Sequence, residues 1–400
     1  MNLRTLTFFL GEDEEILKKA VRAANALTGI FKPQTVRAVV NENFVNREKD
    51  FLANEVWGYS ISFDEKVTDK TEKNILEALT DEKCFVNINL DNDTVDTDNI
   101  MRVSKVIKKC SKKDPTGMVG FRLGVGIGTP DFIPFFPYAK TGTQKENVLT
   151  IGLEMCQFLE ELIEKNKRKS LVDLRETIIK EVTMSVEKIE KEFEVICNSL
   201  GVKYGGVDLS IAPFPYPIGE TSISNLVQKI GSIGRSRSQK KFEFGNPGTL
   251  FVHTFLTDTL KEVARRGLVK TAGFNGMMYS LLEDNDLSKL YEENKVGYSE
   301  LMMLSSTCGC GLDMVPVPES TSLEEISGYI CDTFSLASIL RKPLGVRLLV
   351  VPAGRPGDTT AYKHVFLSNT TLKKDAMGPQ FFNLPNQKKR STFSFMKHQK

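Results

Sequence analysis

The sequence alternates between short apolar runs and amphipathic stretches, and this alternation limits the fold more than any other feature. Runs typical of strands occupy residues 3–10, 36–40, 58–63, 84–90 and 117–127, and later 206–211, 272–278, 312–317 and 346–351. Stretches with helical spacing lie between them, at residues 15–27, 71–79 and 100–110, and later at 222–230, 248–265, 299–306 and 323–340. Such alternation is typical of a mostly parallel sheet covered by helices. We therefore predict the α/β class.

A long helical section, predicted from about residue 148 to residue 200, separates the two halves. Its second part carries apolar residues at every third or fourth position from Leu171 to Ile196, which makes one apolar helix face. We expect that face to pack on the core; a homo-oligomer would form through the same helix. The predicted domain covers residues 1–380, with halves at about 1–150 and 205–370. A flexible basic tail is expected over residues 386–400.

Charge and cysteine content exclude several classes of partner. The chain has 53 Lys and Arg against 51 Asp and Glu, and this balance gives no general electrostatic footprint for nucleic acid or for a membrane. No apolar run approaches the roughly 18 residues that span a bilayer, and acidic residues 12–15 follow the first run, unlike a secretory signal. The seven cysteines lie mostly in apolar or helical contexts, which favours reduced thiols. We expect a cytoplasmic protein whose partner is a small molecule.

Residues 305–318 contain the strongest candidate for a functional site. Cys308 and Cys310 alternate there with Gly309 and Gly311, so we expect a flexible loop that presents its thiols. A thiolate nucleophile, a redox pair and a soft metal ligand would all suit such a loop. Zinc is disfavoured because a tetrahedral site needs four ligands, and the chain has few histidines, three in all, to complete one beside the two cysteines. The alternative is a tight turn in which cysteine is a small filler.

The predicted helix start at Gly248 and Thr249 is a second candidate, since its free backbone N–H groups would attract a carboxylate or a phosphate. Ordinary helix capping explains the same residues. Neither a Walker loop nor a dinucleotide fingerprint is present, so no nucleotide or nicotinamide cofactor is indicated. Asp208 lies in an otherwise apolar strand, where a charge must be paired or functional, and Arg347 is its counterpart in sign. The two residues form either a buried ion pair or part of a catalytic site.

Several predicted strands end in prolines, among them Pro134, Pro213, Pro316 and Pro352. Strand ends carry the ligand crevice in parallel α/β sheets, so these exits either line one mouth or are ordinary turns. Further carboxylates are expected near that mouth, namely Glu283, Asp284, Asp313 and Asp358. A cluster of them could instead hold a divalent cation through oxygen ligands.

In their order, the segments resemble the domain-of-unknown-function 711 family of bacteria and archaea. The matching stretches are residues 134–137, 151–154, 205–210, 244–250, 273–274, 282–284, 308–313, 342–349 and 357–358. The resemblance implies the fold of the pyruvate formate-lyase-type glycyl radical enzymes, a closed barrel of about ten strands in two opposed parallel halves surrounded by helices. Residues 308–313 would be a hairpin loop inside that barrel. This chain has Cys310 where the family commonly has Thr.

Radical catalysis does not follow from this resemblance, because no glycine after Val351 lies in the Arg-Val-x-Gly-Tyr-like segment that carries the radical in those enzymes. The leading prediction is an enzyme with an enclosed site for an acidic metabolite. It would act by proton transfer as a lyase or isomerase, or by thiol-dependent acyl transfer or hydrolysis. The predicted catalytic residues are Cys308, Cys310, Asp208 and Asp313, and the predicted substrate-binding residues are Arg347, Gly248, Thr249, Glu283, Asp284 and Asp358.

Two alternatives stay open from the residues alone. One is a non-catalytic protein that binds an anionic metabolite through Arg347 and the helix start at Gly248. The other is an enzyme with a divalent-metal carboxylate site built from Asp208, Glu283 or Asp313. A Cys–His pair is hard to build, since His253 lies within a predicted helix.

Overall fold

The structure is a computed structural model that describes residues 1–64, 66–140, 145–215, 222–236, 238–374, 378–383 and 391–395. The strands are β1 (Asn2–Phe9), β2 (Thr35–Val39), β3 (Gly58–Phe63), β4 (Cys84–Leu90), β5 (Val95–Asp96), β6 (Leu123–Ile127), β7 (Val148–Glu154), β8 (Lys203–Asp208), β9 (Gly311–Pro318), β10 (Leu344–Val351) and β11 (Thr392–Phe393). The helices are α1 (Glu14–Asn25), α2 (Glu42–Arg47), α3 (Lys49–Glu55), α4 (Asp69–Ala78), α5 (Thr97–Ser111), α6 (Cys156–Lys165), α7 (Leu171–Leu200), α8 (Ile223–Gly231), α9 (Thr249–Arg265), α10 (Asn285–Glu292), α11 (Tyr298–Ser305) and α12 (Leu323–Leu340).

One large sheet organises the molecule and confirms the predicted α/β class. Its nine strands follow the order β8-β7-β1-β2-β3-β4-β6-β10-β9. The central strands β1, β2, β3, β4 and β6 are all parallel. The pair β7 and β8 on one side, and the pair β10 and β9 on the other, run antiparallel to this central group. The sheet therefore consists of a parallel centre between two outer pairs of opposite direction.

Three predicted boundaries were wrong. Residues 148–154 form the strand β7 and not the start of a helix; every residue of β7 is buried, and periodicity cannot distinguish a fully buried strand from a buried helix. Residues 118–122 form a 3-10 helix before β6, because Gly117 turns the chain with a φ of 73°. The predicted strand at residues 272–278 makes isolated bridges instead of a continuous ladder.

Those bridges connect the two edges of the sheet. Thr271 and Met277 form parallel bridges with Val207 and Ile211 on the side of β8, and Ser280 forms a parallel bridge with Asp313 in β9. Residues 271–280 therefore lie between the edge strands β8 and β9. This segment contacts both edges of the sheet, one through each end of the segment.

Asp208 at the end of β8 holds this segment in place. Its buried carboxylate accepts hydrogen bonds from the backbone N–H groups of Phe274 and Asn275 at 2.8 and 3.1 Å. It also accepts from the backbone N–H and the hydroxyl of Ser210, at 2.9 and 2.6 Å. A Cβ at Gly273, where φ is 75°, would collide with the carboxylate, so glycine is required there. Asp208 does not pair with Arg347, contrary to one interpretation of the sequence.

Apolar residues on the two faces of the sheet form two separate cores. Alternation along β4 places Val86 and Ile88 in the larger core under the helices, and Phe85 in the smaller one on the other face. The smaller core is rich in phenylalanine and also contains Phe121, Phe136 and Phe214. We call this second surface the inner face of the sheet. It is the face on which buried polar side chains gather.

The structure confirms the predicted long helix, whereas it describes little of the predicted basic tail. The helix predicted from residue 171 is confirmed as α7, which buries one face and exposes Val172 and Val195 on the other. Most of the predicted basic tail lies outside the described residues. Within residues 391–395, β11 pairs antiparallel with β5. None of the helices in the described ranges is long and apolar enough to cross a membrane.

Replacing Asp208 by alanine would leave three buried backbone N–H groups without an acceptor. We expect the free energy of unfolding of Asp208→Ala to fall by about 3 kcal/mol or more, since each buried donor that loses its partner costs about 1–3 kcal/mol. Urea unfolding followed by circular dichroism measures the change. Asp358→Ala, on an exposed turn, is the control and should lose about 1 kcal/mol or less. Equal losses in the two variants would show that Asp208 does not anchor the segment.

Candidate functional site

A nearly closed pocket lies on the inner face of the sheet, among three buried arginines. Its enclosed space is about 20 Å³, roughly what one water molecule needs. Two carboxylates and a set of aromatic rings complete its wall. We call it the arginine pocket; its lining residues are Arg4, Arg37, Arg347, Glu283, Asp313, Tyr138, Trp57, Phe85, Phe121, Phe135, Phe136, Phe214, Phe366, Ala212 and Met278.

Two irregularities in the sheet lie at the arginines of the pocket. The pairing of β1 with β7 shifts register between Leu3 and Thr5, so Arg4 is the extra residue of a bulge. In β9 and β10, Val346 pairs with Leu312 and Leu348 with Val315, so Arg347 faces two residues. One of these, Met314, has a φ of 57°. Bulges re-aim side chains and are common beside functional sites, and here each accompanies a buried arginine.

Arg347 and Asp313 form a buried bidentate ion pair. The Arg347 Nε and Nη2 atoms each lie 2.7 Å from a different carboxylate oxygen of Asp313. The Tyr138 hydroxyl donates to the same carboxylate at 2.7 Å. Burial alone would lower the pKa of Arg347, but Asp313 and Glu283 outweigh it and raise the pKa. Burial and Asp313 raise the pKa of Tyr138 well above its ordinary value, so Tyr138 keeps its proton.

Arg4 is held by weaker contacts. Its Nη1 donates to the Pro213 carbonyl at 2.8 Å, and its Nη2 lies 3.5 Å from Glu283. Its guanidinium carbon lies 3.8 Å from the centre of the Phe214 ring. The Nε of Arg4 is buried and has no hydrogen-bond partner among the described residues. Arg4 therefore retains donor capacity that the protein does not use.

Arg37, on β2, is the most poorly compensated charge of the pocket. Its Nε donates to the Thr35 hydroxyl at 3.0 Å, and its guanidinium lies 4.7 Å from the Trp57 ring centre. Within the described part of the chain, no carboxylate comes within 4.0 Å of its nitrogens. Burial and the neighbouring charge of Arg4 lower the pKa of Arg37 to about 9. A buried charge without a counter-ion is costly, so Arg37 is suited to bind an anion.

The charges of the pocket can be counted directly. Among the described residues that line the pocket, three guanidinium groups face two carboxylates, those of Glu283 and Asp313, which leaves one positive charge uncompensated. Glu154, which does not line the pocket, also acts to raise the pKa of Arg4. Glu283 lies 3.5 Å from Arg4 and 3.8 Å from Arg347. A ligand with a single negative charge would balance the pocket.

The two thiols of the predicted loop are buried and do not line the arginine pocket. Cys308 and Cys310 are 1% and 0% exposed, so the expectation that the loop presents them was wrong. Residues 306–310 connect α11 to β9, and Asp313 already belongs to β9. Residues 308–310 therefore end a helix-to-strand connection and residues 311–313 begin β9, which pairs in parallel with β10, so the segment does not form an inner hairpin.

Cys308 nevertheless has an unusual environment. Its Sγ lies 3.6 Å from the Cys310 Sγ and accepts from the backbone N–H groups of Tyr279 and Cys310 at 3.5 and 3.4 Å. Burial alone would raise the pKa of Cys308, but the hydrogen bond with Cys310 and the charge of Lys342 outweigh it and lower the pKa. Burial raises the pKa of Cys310. The Cys308 Sγ also lies 3.1 Å from the Met277 carbonyl, to which its thiol can donate.

His253 lies beside this thiol pair, a position that no spacing in the sequence predicted. Its Nδ1 forms a hydrogen bond with the Thr307 hydroxyl, and its ring stacks on Tyr279 with centres 4.9 Å apart. Burial lowers the pKa of His253 to about 3, so its ring is neutral. Its Nε2 and the Tyr279 hydroxyl have no partner among the described residues. His253 and Tyr279 are therefore polar side chains that are buried away from solvent.

The remaining predicted site residues lie apart from the pocket. Gly248 and Thr249 begin α9, where Gly248 is exposed and the Thr249 hydroxyl accepts from the backbone of Gly245. Asp284 caps α10 and also accepts from the backbone N–H of Ile223 at 2.9 Å. Burial raises the pKa of Asp284 to about 6. Asp358 lies in an exposed turn. Among the described residues, no three His, Cys, Asp or Glu side chains converge closely enough to hold a metal ion.

The pocket therefore unites Asp313, Arg347 and Glu283 of the predicted residues. Sequence reasoning missed Arg4, Arg37 and Tyr138. Arg4 and Arg37 could have been found, because each is the single charged residue of its strand. A similar argument singled out Asp208, whose carboxylate lies outside the arginine pocket and bonds to residues 210, 274 and 275.

Comparison with known proteins places the chain among related sequences. The family described as "Uncharacterised ACR (DUF711)" matches residues 49–368. A UPF0210 protein of Pyrobaculum aerophilum is 28% identical over 241 residues, which is 59% of this chain and 51% of the relative. A UPF0210 protein of Carboxydothermus hydrogenoformans is 27% identical over 271 residues, covering 66% and 57% of the two chains. One of Thermoanaerobacter sp. is 27% identical over 320 residues, covering 78% and 68%. The chain thus spans little more than half the length of the first two relatives.

The Arg347–Asp313 pair can be tested by a double-mutant cycle. Arg347→Met leaves the Asp313 carboxylate buried without its cation, and we expect the free energy of unfolding to fall by about 3–5 kcal/mol. Arg347→Met combined with Asp313→Leu removes both charges and should recover most of that loss. Urea unfolding of the wild type, both single variants and the double variant gives the coupling free energy. Additive losses would show that the two side chains do not depend on each other.

Proposed function

The chain belongs to the DUF711 family, and we propose that it binds a small anionic metabolite in the arginine pocket and catalyses proton transfer on it. The observation that carries this proposal is Arg37, a buried guanidinium with no carboxylate oxygen within 4.0 Å of its nitrogens among the described residues. Folding around such a charge destabilises the ligand-free protein. Retaining it is reasonable where a bound anion supplies the missing negative charge. The unused Nε of Arg4 supports the same anion.

We infer that the pocket is the interior of a closed barrel. The support is that residues 271–280 form parallel bridges to both edges of the sheet, near β8 and to β9. Nine sheet strands and this segment make ten. Five of them run one way (β1, β2, β3, β4, β6) and five the other (β7, β8, residues 271–280, β9, β10). This matches the two opposed parallel halves that the resemblance to glycyl radical enzymes implies.

Carboxylates are better placed than thiols to act on a ligand in the pocket. Glu283 lines it beside Arg4 and Arg347, whereas Cys308 and Cys310 are not among its lining residues. Arg4 and Arg37 would hold the ligand's carboxylate, and Glu283 would accept a proton from the neighbouring carbon. The arginines then stabilise the negative charge that develops. A lyase or isomerase is the reaction class that follows, and no step requires a glycyl radical.

The expected cytoplasmic location has one further support. All seven cysteines are free thiols, and the sulfurs of Cys308 and Cys310 are unbonded although they are 3.6 Å apart. Reduced thiols are typical of reducing compartments.

Anion binding is tested by thermal unfolding with acetate, pyruvate, succinate and inorganic phosphate. In wild type at least one anion should raise Tm, since a ligand of the folded state at 100 times its Kd adds about 2.7 kcal/mol. Arg37→Met should remove this rise. Its ligand-free Tm should exceed that of wild type, because an uncompensated buried charge has been replaced by an apolar side chain.

Arg122→Met is the matched control for this test. Arg122 is also largely buried, but it donates to the carbonyls of Leu79 and Cys84 outside the pocket. We expect this variant to be less stable than wild type and to keep the anion-induced rise in Tm. If Arg37→Met and Arg122→Met respond alike to every anion, the arginine pocket is not the binding site.

Proton transfer is tested by hydrogen exchange into ligands in D₂O. Pyruvate and succinate carry hydrogen on the carbon next to a carbonyl group, and proton NMR records its loss. We expect Glu283→Gln to slow exchange by about 100-fold or more while it still binds the anion, since a general base contributes at least that factor. Glu293→Gln, at an exposed position, is the control. Binding without exchange in wild type would identify a non-catalytic binding protein.

A further inference from the structure

We infer that the ligand of the arginine pocket is a monocarboxylate with an aromatic ring, and that the Phe366 ring occupies the place of the ligand's ring. This inference rests on the proposed function, since it names the class of anion that the same pocket takes. It follows from three features of the structure: the position of Phe366, the loop that carries it, and the charge of the pocket.

Phe366 is inserted between two other aromatic rings. Its ring stacks on Phe214 with centres 5.2 Å apart and meets the edge of Trp57 at 5.3 Å. Each of these neighbours also contacts an arginine: Arg4 lies 3.8 Å from the Phe214 ring centre, and Arg37 lies 4.7 Å from that of Trp57. Removing the Phe366 ring would leave an aromatic slot with a guanidinium group beside each wall.

The loop that carries Phe366 is built as a separate unit. Residues 359–371, which we call the capping loop, are closed at their ends by an antiparallel bridge between Thr359 and Thr371. Asn369 exchanges hydrogen bonds with the backbone of Tyr362, and the Phe366 N–H donates to His364 within the same loop. Compact loops with close ends and internal bonding are often functional.

Hydrogen bonds join the capping loop to the rest of the protein mainly near its C-terminal end. The Ser368 N–H donates to the Leu282 carbonyl at 2.7 Å, and the Thr370 hydroxyl donates to the Ser288 carbonyl at 2.8 Å. For residues 361–367, the backbone hydrogen bonds to other described residues all stay within the loop. Displacing the tip about Ser368 would break no sheet or helix hydrogen bond, and its cost is the exposure of Tyr362, Phe366 and Leu367, which are buried on the inner face. Such movement takes Phe366 out of the slot.

The size and charge of the pocket define the ligand. With Phe366 in place the enclosed space is about 20 Å³, which is too small for a metabolite, so the ring must leave when a ligand enters. The vacated slot fits a flat apolar group of the size of a phenyl ring. Among the described residues that line the pocket, one positive charge is uncompensated. One carboxylate neutralises it, whereas succinate or phosphate would bring excess negative charge beside Glu283 and Asp313.

The test is a titration with phenylacetate, its neutral counterpart phenylacetamide, succinate and inorganic phosphate, by calorimetry and thermal unfolding. Wild type, Phe366→Ala and Phe366→Leu are compared with Phe381→Ala, which removes an exposed ring elsewhere. Phenylacetate should bind wild type more tightly than the other three compounds. Phe366→Ala should tighten phenylacetate by about tenfold, because the competing side chain no longer lowers the competent population. Phe381→Ala should change nothing.

Each other outcome is decisive. Tighter binding of succinate or phosphate than of phenylacetate would overturn the aromatic class while leaving anion binding intact. Equal affinity of Phe366→Ala for phenylacetamide and phenylacetate would show a mere cavity and overturn the inference. If no anion binds wild type or any variant, the proposed function itself fails. Should Phe366→Ala not fold, the ranking of the four compounds on wild type and Phe366→Leu decides the matter.

Discussion

Buried positive charge is the constraint on which the inner face of the sheet depends. Three arginines lie on a surface rich in phenylalanine, and each is less than 10% exposed. Arg347 is neutralised by the bidentate carboxylate of Asp313, and Arg4 lies within ion-pair distance of Glu283. Among the described residues, Arg37 has a hydrogen bond to the Thr35 hydroxyl and ring contacts, but no carboxylate within 4.0 Å. Aromatic faces attract cations, so the rings reduce the cost of burial. The rings do not remove the whole cost of burying the arginines, so the remaining positive charge favours the binding of an anionic ligand.

Backbone irregularities make this arrangement available. In a regular strand, successive side chains point to opposite faces of the sheet. A charged residue therefore reaches the inner face only from every second position. Arg37 obeys this rule in β2, since Val36 and Ala38 on either side belong to the outer core. Arg4 and Arg347 occur where the register shifts, and there the parity rule is relaxed. The bulges thus let neighbouring strands contribute charge to one point of the inner face.

Hydrophobic periodicity and backbone irregularity together explain which parts of the fold could be predicted from the sequence. The α/β class, the order of most helices and strands and the long helix α7 could be predicted, because hydrophobic periodicity reports burial and burial follows local structure. Strand β7 could not be identified, since it is buried on both faces and has no period. The site was found in part: Asp313 and Arg347 were predicted, but as partners of other groups. Their true pairing depends on a bulge that no spacing rule reveals.

The cysteine segment lies outside the lining of the arginine pocket, and packing accounts for its glycines. Gly309 packs against Phe274 and Met277, and Gly311 has a φ of 83° where a Cβ would meet the backbone of Gly345. Close backbone approach, more than a need for loop flexibility, therefore explains the glycines. The segment still matters to the arginine pocket, because two residues after Gly311 the chain reaches Asp313. Lys342 donates to the carbonyls of Ser305 and Cys308 and so fixes the connection from which β9 starts. The motif positions the carboxylate that holds Arg347, and its thiols lie behind the pocket wall as part of that support.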